Sequence, residues 1–155
     1  MTPFAPGDGD GWTYCAQGHK HWGIYGAAGL LLWHADGAGQ IQVLLQHRAL
    51  WSHHGGTWGI PGGARHLGES AEEAARREAA EESDLDVAGV PVAGCFVDDH
   101  GGWSYTTVAL WVPEPVPVAV RGGESVGLTW WRAAELGEAE LHPGFAATWE
   151  HVRTL

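Results

Sequence analysis

The sequence predicts a mixed β-sheet covered by helices, an α/β or α+β layer arrangement, and three observations carry that expectation. Apolar runs of strand length recur on both sides of one charged, alanine-rich stretch of helical period. Turns rich in glycine and proline separate the runs, and no repeat or interdomain linker interrupts them. A chain of 155 residues also has the size of one domain that buries a core without cross-links.

Residues 1–20, rich in Gly, Pro and Asp, are expected to form a flexible, loosely attached arm, and residues 21–155 a single domain. YGAAGLLLW and QIQVLLQHR read as two strands around the turn HADGAGQ. SHHGGTWGIPGG is a loop holding a short strand and closing on Pro61-Gly62-Gly63. Residues 70–84 form the most clearly marked element, a helix. VPVAGCFVDD and WSYTTVALWV read as antiparallel partners around His100-Gly101-Gly102. EPVPVAV carries too many prolines for a central strand and suits an edge or a connection. VGLTWW is a further short strand, RAAELGEAEL begins a short helix, and GFAATWEHVRTL is a C-terminal helix.

The net charge of −11 excludes a general nucleic-acid binder, because phosphate backbones require Lys and Arg. An acidic protein still handles a phosphorylated small molecule when divalent cations neutralise both partners. Cys15 and Cys95, the only cysteines, imply no disulfide framework and a reduced cytoplasmic setting. The start of the chain lacks the basic region and apolar run of a signal peptide. Its longest apolar stretch, GAAGLLLW, is too short to cross a bilayer, so no membrane partner is expected. Cys15, His19 and His21 bear a faint likeness to a metal site. A structural zinc needs about four protein ligands and only three crowd there, so the segment reads as a strand or loop.

The acidic helix raises a sharper question. Six glutamates occupy positions 69–82 with only two arginines beside them. Ser70-Ala-Glu-Glu73 is a capping box. At about 100° per residue from Ala71, the stripe of Ala74, Ala75 and Ala79 falls at about 300°, 40° and 80°. Glu78, Glu81 and Glu82 fall at about 340°, 280° and 20°, within or beside that stripe. Glu72 with Arg76 and Glu73 with Arg77 occupy the other side as i, i+4 pairs. A solvated charge run explains Glu72 and Glu73 but not three inward glutamates. Carboxylates gathered in a partly dry site take up protons or bind a cation, and oxygen donors suit Mg²⁺ or Mn²⁺.

Gly63, then five residues, Glu69, then seven residues, Arg77-Glu78-Ala79-Ala80-Glu81-Glu82 resembles the Nudix box, Gly-x5-Glu-x7-Arg-Glu-U-x-Glu-Glu-x-Gly-U, where U is a bulky aliphatic residue. TWGIPGG is similar to the approach to that box, and the resemblance covers residues 24–153. Two positions depart from it. Ala79 replaces a larger aliphatic residue, and Asp84 stands where glycine ends the helix, while Leu85 keeps the final aliphatic position.

The resemblance implies an α/β/α sandwich with its mixed sheet between helices. It implies Glu78 and Glu82 as principal metal ligands, Glu81 and the Gly63 carbonyl assisting, Glu69 near the metal cluster, and Arg77 orienting the glutamates. The implied activity is hydrolysis of the diphosphate bond in a nucleoside diphosphate linked to another moiety, with Mg²⁺, or Mn²⁺ in its place. Homodimers are common among such proteins. The water-activating base is expected at Glu124, in the glycine-rich loop VRGGESVGLTWW, with Asp98, Asp99, Glu78 and Glu69 as alternatives.

Trp58, Trp103 and Tyr105 offer surfaces on which a base would stack, and His53 and His54 are loop candidates for contacting phosphate, although surface histidines usually carry no special role. Signatures of coenzyme A, NADH or ADP-ribose hydrolases are not matched. Nucleoside triphosphates, oxidised ones included, nucleotide sugars and dinucleoside polyphosphates therefore stay open as substrates. A non-catalytic sensor of nucleotide or metal is the rival reading. Degenerate domains usually lose box carboxylates, and all four are present here.

Overall fold

The computed structural model describes residues 9–48, 55–82, 87, 89–113 and 125–152. In chain order they form β1 (Trp12–Tyr14), β2 (Lys20–Trp22), β3 (Ala27–Ala35), β4 (Ile41–Arg48), β5 (Trp58–Gly59), β6 (Gly62–Ala64), α1 (Ala71–Glu82), β7 (Val92–Asp99), β8 (Ser104–Trp111), β9 (Ser125–Arg132), a 3-10 turn (Ala133–Glu138) and α2 (Pro143–Val152). The expected EPVPVAV connection, His53, His54, Asp84, Leu85 and Glu124 lie outside the described residues.

Seven strands make one mixed sheet, in the order β5-β4-β3-β8-β7, with β6 also on β3 and β9 also on β4. β3 and β8 run parallel from Ala27↔Tyr105 to Trp33↔Trp111, and the other pairings are antiparallel. β3 is apolar without alternation because both of its faces are covered. Leu30 and Leu32 meet Ala74, Ala75 and Ala79 of α1 together with Leu44, Val108 and Leu110. Leu31 points the other way, into a second core with Val43, Leu45, Ile60 and Phe145 and Val152 of α2. The sheet is thus the filling between α1 and α2. Each fully buried leucine contributes about 1.5–3 kcal/mol. The stripe of three small side chains, all essentially without exposure, brings α1 close to the sheet.

The N-terminal segment differs from expectation. Residues 1–8 lie outside the described residues, but β1 and β2 pair as an antiparallel hairpin, Trp12↔Trp22 to Tyr14↔Lys20. The Ile24 amide donates to the Gly9 carbonyl (2.9 Å), extending the hairpin, and the Ala16 amide donates to the Gly101 carbonyl (2.7 Å) of the β7–β8 turn, so the hairpin is tied to the domain rather than loosely attached. Trp12 and Trp22 meet edge to face at 5.1 Å, and the Lys20 ammonium lies 4.4 Å from the Trp12 ring centre. Strands of three residues with their large side chains exposed carry little periodic signal.

Candidate active site

The site forms where β6 leads into α1. Gly62 and Gly63 pair with Gly29 and Ala28 of β3. Successive strand residues face opposite sides, and here each side is already taken. A Cβ on Gly63 would lie 2.6 Å from Glu78 Cδ and 2.7 and 2.9 Å from its two oxygens. A Cβ on Gly62 would lie 2.6 Å from the Tyr105 hydroxyl. The Glu78 carboxylate therefore rests on backbone on the α1 side, and Tyr105 stands against the same strand from the α2 side.

The loop between β6 and α1 is held from within. Arg65 donates through Nε and Nη2 to the Glu69 carbonyl (3.2 and 2.8 Å), and the His66 amide donates to Glu69 Oε1 (2.9 Å). The capping box closes the helix start: Glu73 N donates to Ser70 Oγ and Ser70 N to Glu73 Oε1, both at 3.1 Å.

Arg77 organises the carboxylates. Its Nε and Nη2 grip Glu69 Oε2 and Oε1 at 2.8 and 3.0 Å, a bidentate pair. Nη1 reaches Glu78 Oε1 at 3.0 Å and both Glu81 oxygens at 3.3 Å, and Nη2 reaches the Ala64 carbonyl at 2.9 Å. This corrects the expected Glu73–Arg77 pair. The half-buried Glu69 gives a bidentate partner that an exposed Glu73, engaged in the cap, does not, whereas Glu72–Arg76 forms as expected at 3.0 Å. Glu81 is also less inward than its angle implies, its side chain being 57% exposed at the helix margin. Glu82 lies in the last turn of α1, and its side chain falls outside the described residues.

The electrostatics divide the glutamates. The Arg77 hydrogen bonds hold the Glu69 carboxyl at about 2, below its ordinary 4.5, and Glu69 in turn raises Arg77, which stays cationic. Burial pushes the Glu78 carboxyl up; Arg77 opposes this, and the charges of Glu81 and Asp10 push it further. Asp10 is a carboxylate the sequence reading did not single out. It comes close because the hairpin segment folds onto the domain.

The aromatic residues gather on the other side of the sheet. Trp58 and Tyr105 pack on the α2 core. Trp58 stacks on His47 at 4.3 Å and meets Trp131 edge-on at 5.3 Å. Trp103 lies 6.5 Å from Tyr105 and stacks on His21 at 3.9 Å. Asp98 pairs across the sheet with Tyr105 and so shares its face, where its Oδ2 lies 3.0 Å from His100 Nε2. Asp99 Oδ1 accepts from the Gly101 amide at 2.8 Å. Cys15 and His21 come together with His100, while His19 sits exposed in the β1–β2 turn. Among the described residues no helix is long and apolar enough to cross a membrane.

Comparison with known proteins bears on this geometry directly. The family of the NUDIX domain matches residues 25–152. A Mycobacterium tuberculosis protein named "Putative 8-oxo-dGTP diphosphatase 3" is 48% identical over 155 residues, covering 96% of this chain and 70% of that protein. A Bifidobacterium longum protein named nucleoside triphosphate pyrophosphatase/Nudix hydrolase fusion protein is 43% identical over 91% of this chain, which spans 30% of its length. The crystal structure of RenU, a Nudix hydrolase from M. smegmatis, superposes with a TM-score of 0.84 at 43% identity, covering 94% of both chains. The box spacing, the glutamates ordered around Arg77 and these relatives agree: the chain belongs to the Nudix family and is a pyrophosphohydrolase of the Nudix type.

Proposed function

We propose that the protein hydrolyses a phosphoanhydride bond in a nucleoside triphosphate, an oxidised purine nucleotide first among them, with a divalent cation as cofactor. The observation that carries this reading is the Glu78 carboxylate seated on the Gly63 backbone and bridged by Arg77 to Glu69. The 48% identity to the M. tuberculosis protein supports the oxidised nucleotide over nucleotide sugars and dinucleoside polyphosphates.

The donors fit a hard cation. Glu78 is half-buried, raised by burial and pressed by other carboxylates, so a cation relieves what the protein alone leaves unbalanced. Glu78 and Glu82, with Glu81 and the Gly63 carbonyl, would hold Mg²⁺, or Mn²⁺ as substitute. When bound, the cation would neutralise the diphosphate and make a water molecule more acidic.

Arg77 fixes the carboxylates beforehand, so little reorganisation accompanies turnover. Glu69, held at about 2 by Arg77, is too weak a base to take a proton at neutral pH and serves to anchor Arg77. Asp98 faces the α2 side and is engaged with His100, which disfavours it as base. Glu124 remains the residue we assign to accept the proton from water. The base of the nucleotide would meet Tyr105, Trp103 and Trp58 across β6 from Glu78, so the substrate would straddle that strand. The expected partner is a nucleotide rather than nucleic acid, and both free cysteines fit a reducing cytoplasm. A homodimer is the assembly we expect.

The test is a substrate panel with Mg²⁺ containing 8-oxo-dGTP, dGTP, ADP-ribose, a nucleotide sugar and a dinucleoside polyphosphate, read by release of phosphate and pyrophosphate. The highest kcat/KM is expected for 8-oxo-dGTP, with EDTA abolishing turnover and Mg²⁺ restoring it. Full activity in metal-free buffer, or preference for ADP-ribose, would overturn the reading.

A further inference from the structure

We propose that Cys15, His21 and His100 form a second metal site, for Zn²⁺, that clips the N-terminal hairpin to the turn between β7 and β8. One ligand atom from each residue lies within 4.8 Å of the others. The three come from separate places in the chain. Cys15 follows β1 and is buried, His21 lies in β2, and His100 opens the β7–β8 turn. The two turns are already joined by the Ala16 amide donating to the Gly101 carbonyl. Gly101 and Gly102, with φ of 79° and 78°, form the tight two-residue turn that brings His100 back over the hairpin.

Each imidazole is held as a ligand is held. The His21 ring lies flat on Trp103, 3.9 Å between centres and 6° between planes. Its Nε2 is sealed from solvent and has no hydrogen-bond partner among the described residues. Such a buried, unsatisfied nitrogen is destabilising, and simple packing gives no reason for it; a metal ion supplies the partner. His100 Nε2 lies 3.0 Å from Asp98 Oδ2. That is the carboxylate–imidazole contact that orients metal-bound histidines, and it leaves Nδ1 to donate its lone pair.

The donor set selects the ion. One thiolate and two imidazoles favour Zn²⁺ over Mg²⁺, which prefers oxygen, so this site and the glutamates around Arg77 take different metals. Tetrahedral Zn²⁺ sets such ligands roughly 3.4–3.6 Å apart, a contraction within reach of side-chain rotation. The Cys15 thiol gives up its proton on binding. With three protein ligands the site is of the open zinc type, water taking the fourth position, because His19, the third residue of the local motif, is exposed.

Co²⁺ reports on this site without reference to hydrolysis. Metal-stripped protein is titrated with Co²⁺ in excess Mg²⁺, which occupies oxygen-only sites. The expected result is one Co²⁺ per chain with a near-ultraviolet thiolate-to-cobalt charge-transfer band, displaced by Zn²⁺. Cys15→Ser removes the band, Asp98→Asn weakens affinity by roughly 10–100-fold, and His19→Gln changes nothing. Zn²⁺ should also raise the Tm of the unaltered protein but not of Cys15→Ser. Absence of the band at stoichiometric Co²⁺, or an unchanged band in Cys15→Ser, overturns the proposal. Should Cys15→Ser not fold, His100→Gln decides it by the same criterion, retention of the band counting against the site.

Discussion

At Gly63 the space for a side chain is already filled by the Glu78 carboxylate. Gly63→Ala must therefore push Glu78 away from β6, and a displacement of about 1 Å at a reacting site costs on the order of 10²-fold in rate. We expect kcat to fall by about that factor with little loss of Tm, because no backbone contact is broken. Gly62→Ala differs: its Cβ would meet the Ala28 carbonyl at 2.5 Å and Gly29 Cα at 2.7 Å, so it should lower Tm as well. Equal effects of the two substitutions in kinetics and melting would refute the distinction between the two faces. Glu69 offers a pH test. Its carboxyl titrates at about 2 in the folded chain against an ordinary 4.5. The Arg77 pair thus stabilises the fold fully above pH 4.5, loses that contribution as pH falls toward 2, and contributes nothing below. Glu69→Gln should be less stable than the unaltered protein by a constant margin at pH 6–7, and the margin should shrink between pH 4.5 and 2. Urea midpoints across that range measure it, and an undiminished margin at pH 3 would place the stabilisation elsewhere.

The helix α1 was the most legible element because every signal for it is local. Ser70 and Glu73 exchange the hydrogen bonds the capping box calls for, and Ala74, Ala75 and Ala79 bury the stripe their spacing implies. Ser70→Ala should cost about 1 kcal/mol in urea unfolding, with the Arg77–Glu69 grip, and so the proposed metal requirement, unchanged. A loss well under half that value would mean that the cap adds little to what packing already fixes. The strands of the main sheet were legible for the same reason, since β3 and β8 are apolar runs of the right length bounded by turns. What could not be read depends on contacts that fall outside the helix and strand periods. Helical angle pairs Arg77 with Glu73, yet the loop before α1 delivers a better partner in Glu69. The hairpin of β1 and β2 carries little local signal, because the contact that ties it to the domain, Ala16 to Gly101, joins distant segments. The same holds for His100: CAQGHKH showed two of the three clustered ligands, and only the β7–β8 turn supplies the third. A histidine before paired glycines, two residues after an aspartate, was the one signal available.

For the whole molecule, the net charge of −11 sets the terms on which metal and substrate are met. The acidic surface repels a free nucleotide, so the anion is expected to arrive already associated with its cation. The same repulsion weakens the folded state, and two kinds of cation relieve it differently. Monovalent salt screens exposed charges throughout the surface, with a Debye length of about 10 Å at 0.1 M. A divalent ion at the glutamates, as proposed, would act at one place, where Glu78 of α1 meets Gly63 of β6. A ligand that binds only the folded chain stabilises it by about 2.7 kcal/mol at a hundred times its Kd. For a chain of this size that corresponds to a rise of roughly 5–10 °C in Tm. Mg²⁺ should therefore raise Tm well beyond NaCl of equal ionic strength. Glu78→Gln should abolish that excess while responding to NaCl like the unaltered protein. Differential scanning calorimetry separates the two contributions. If Mg²⁺ and matched NaCl gave the same Tm, the glutamate cluster would be an acidic surface only, and the cation would have to enter with the substrate alone.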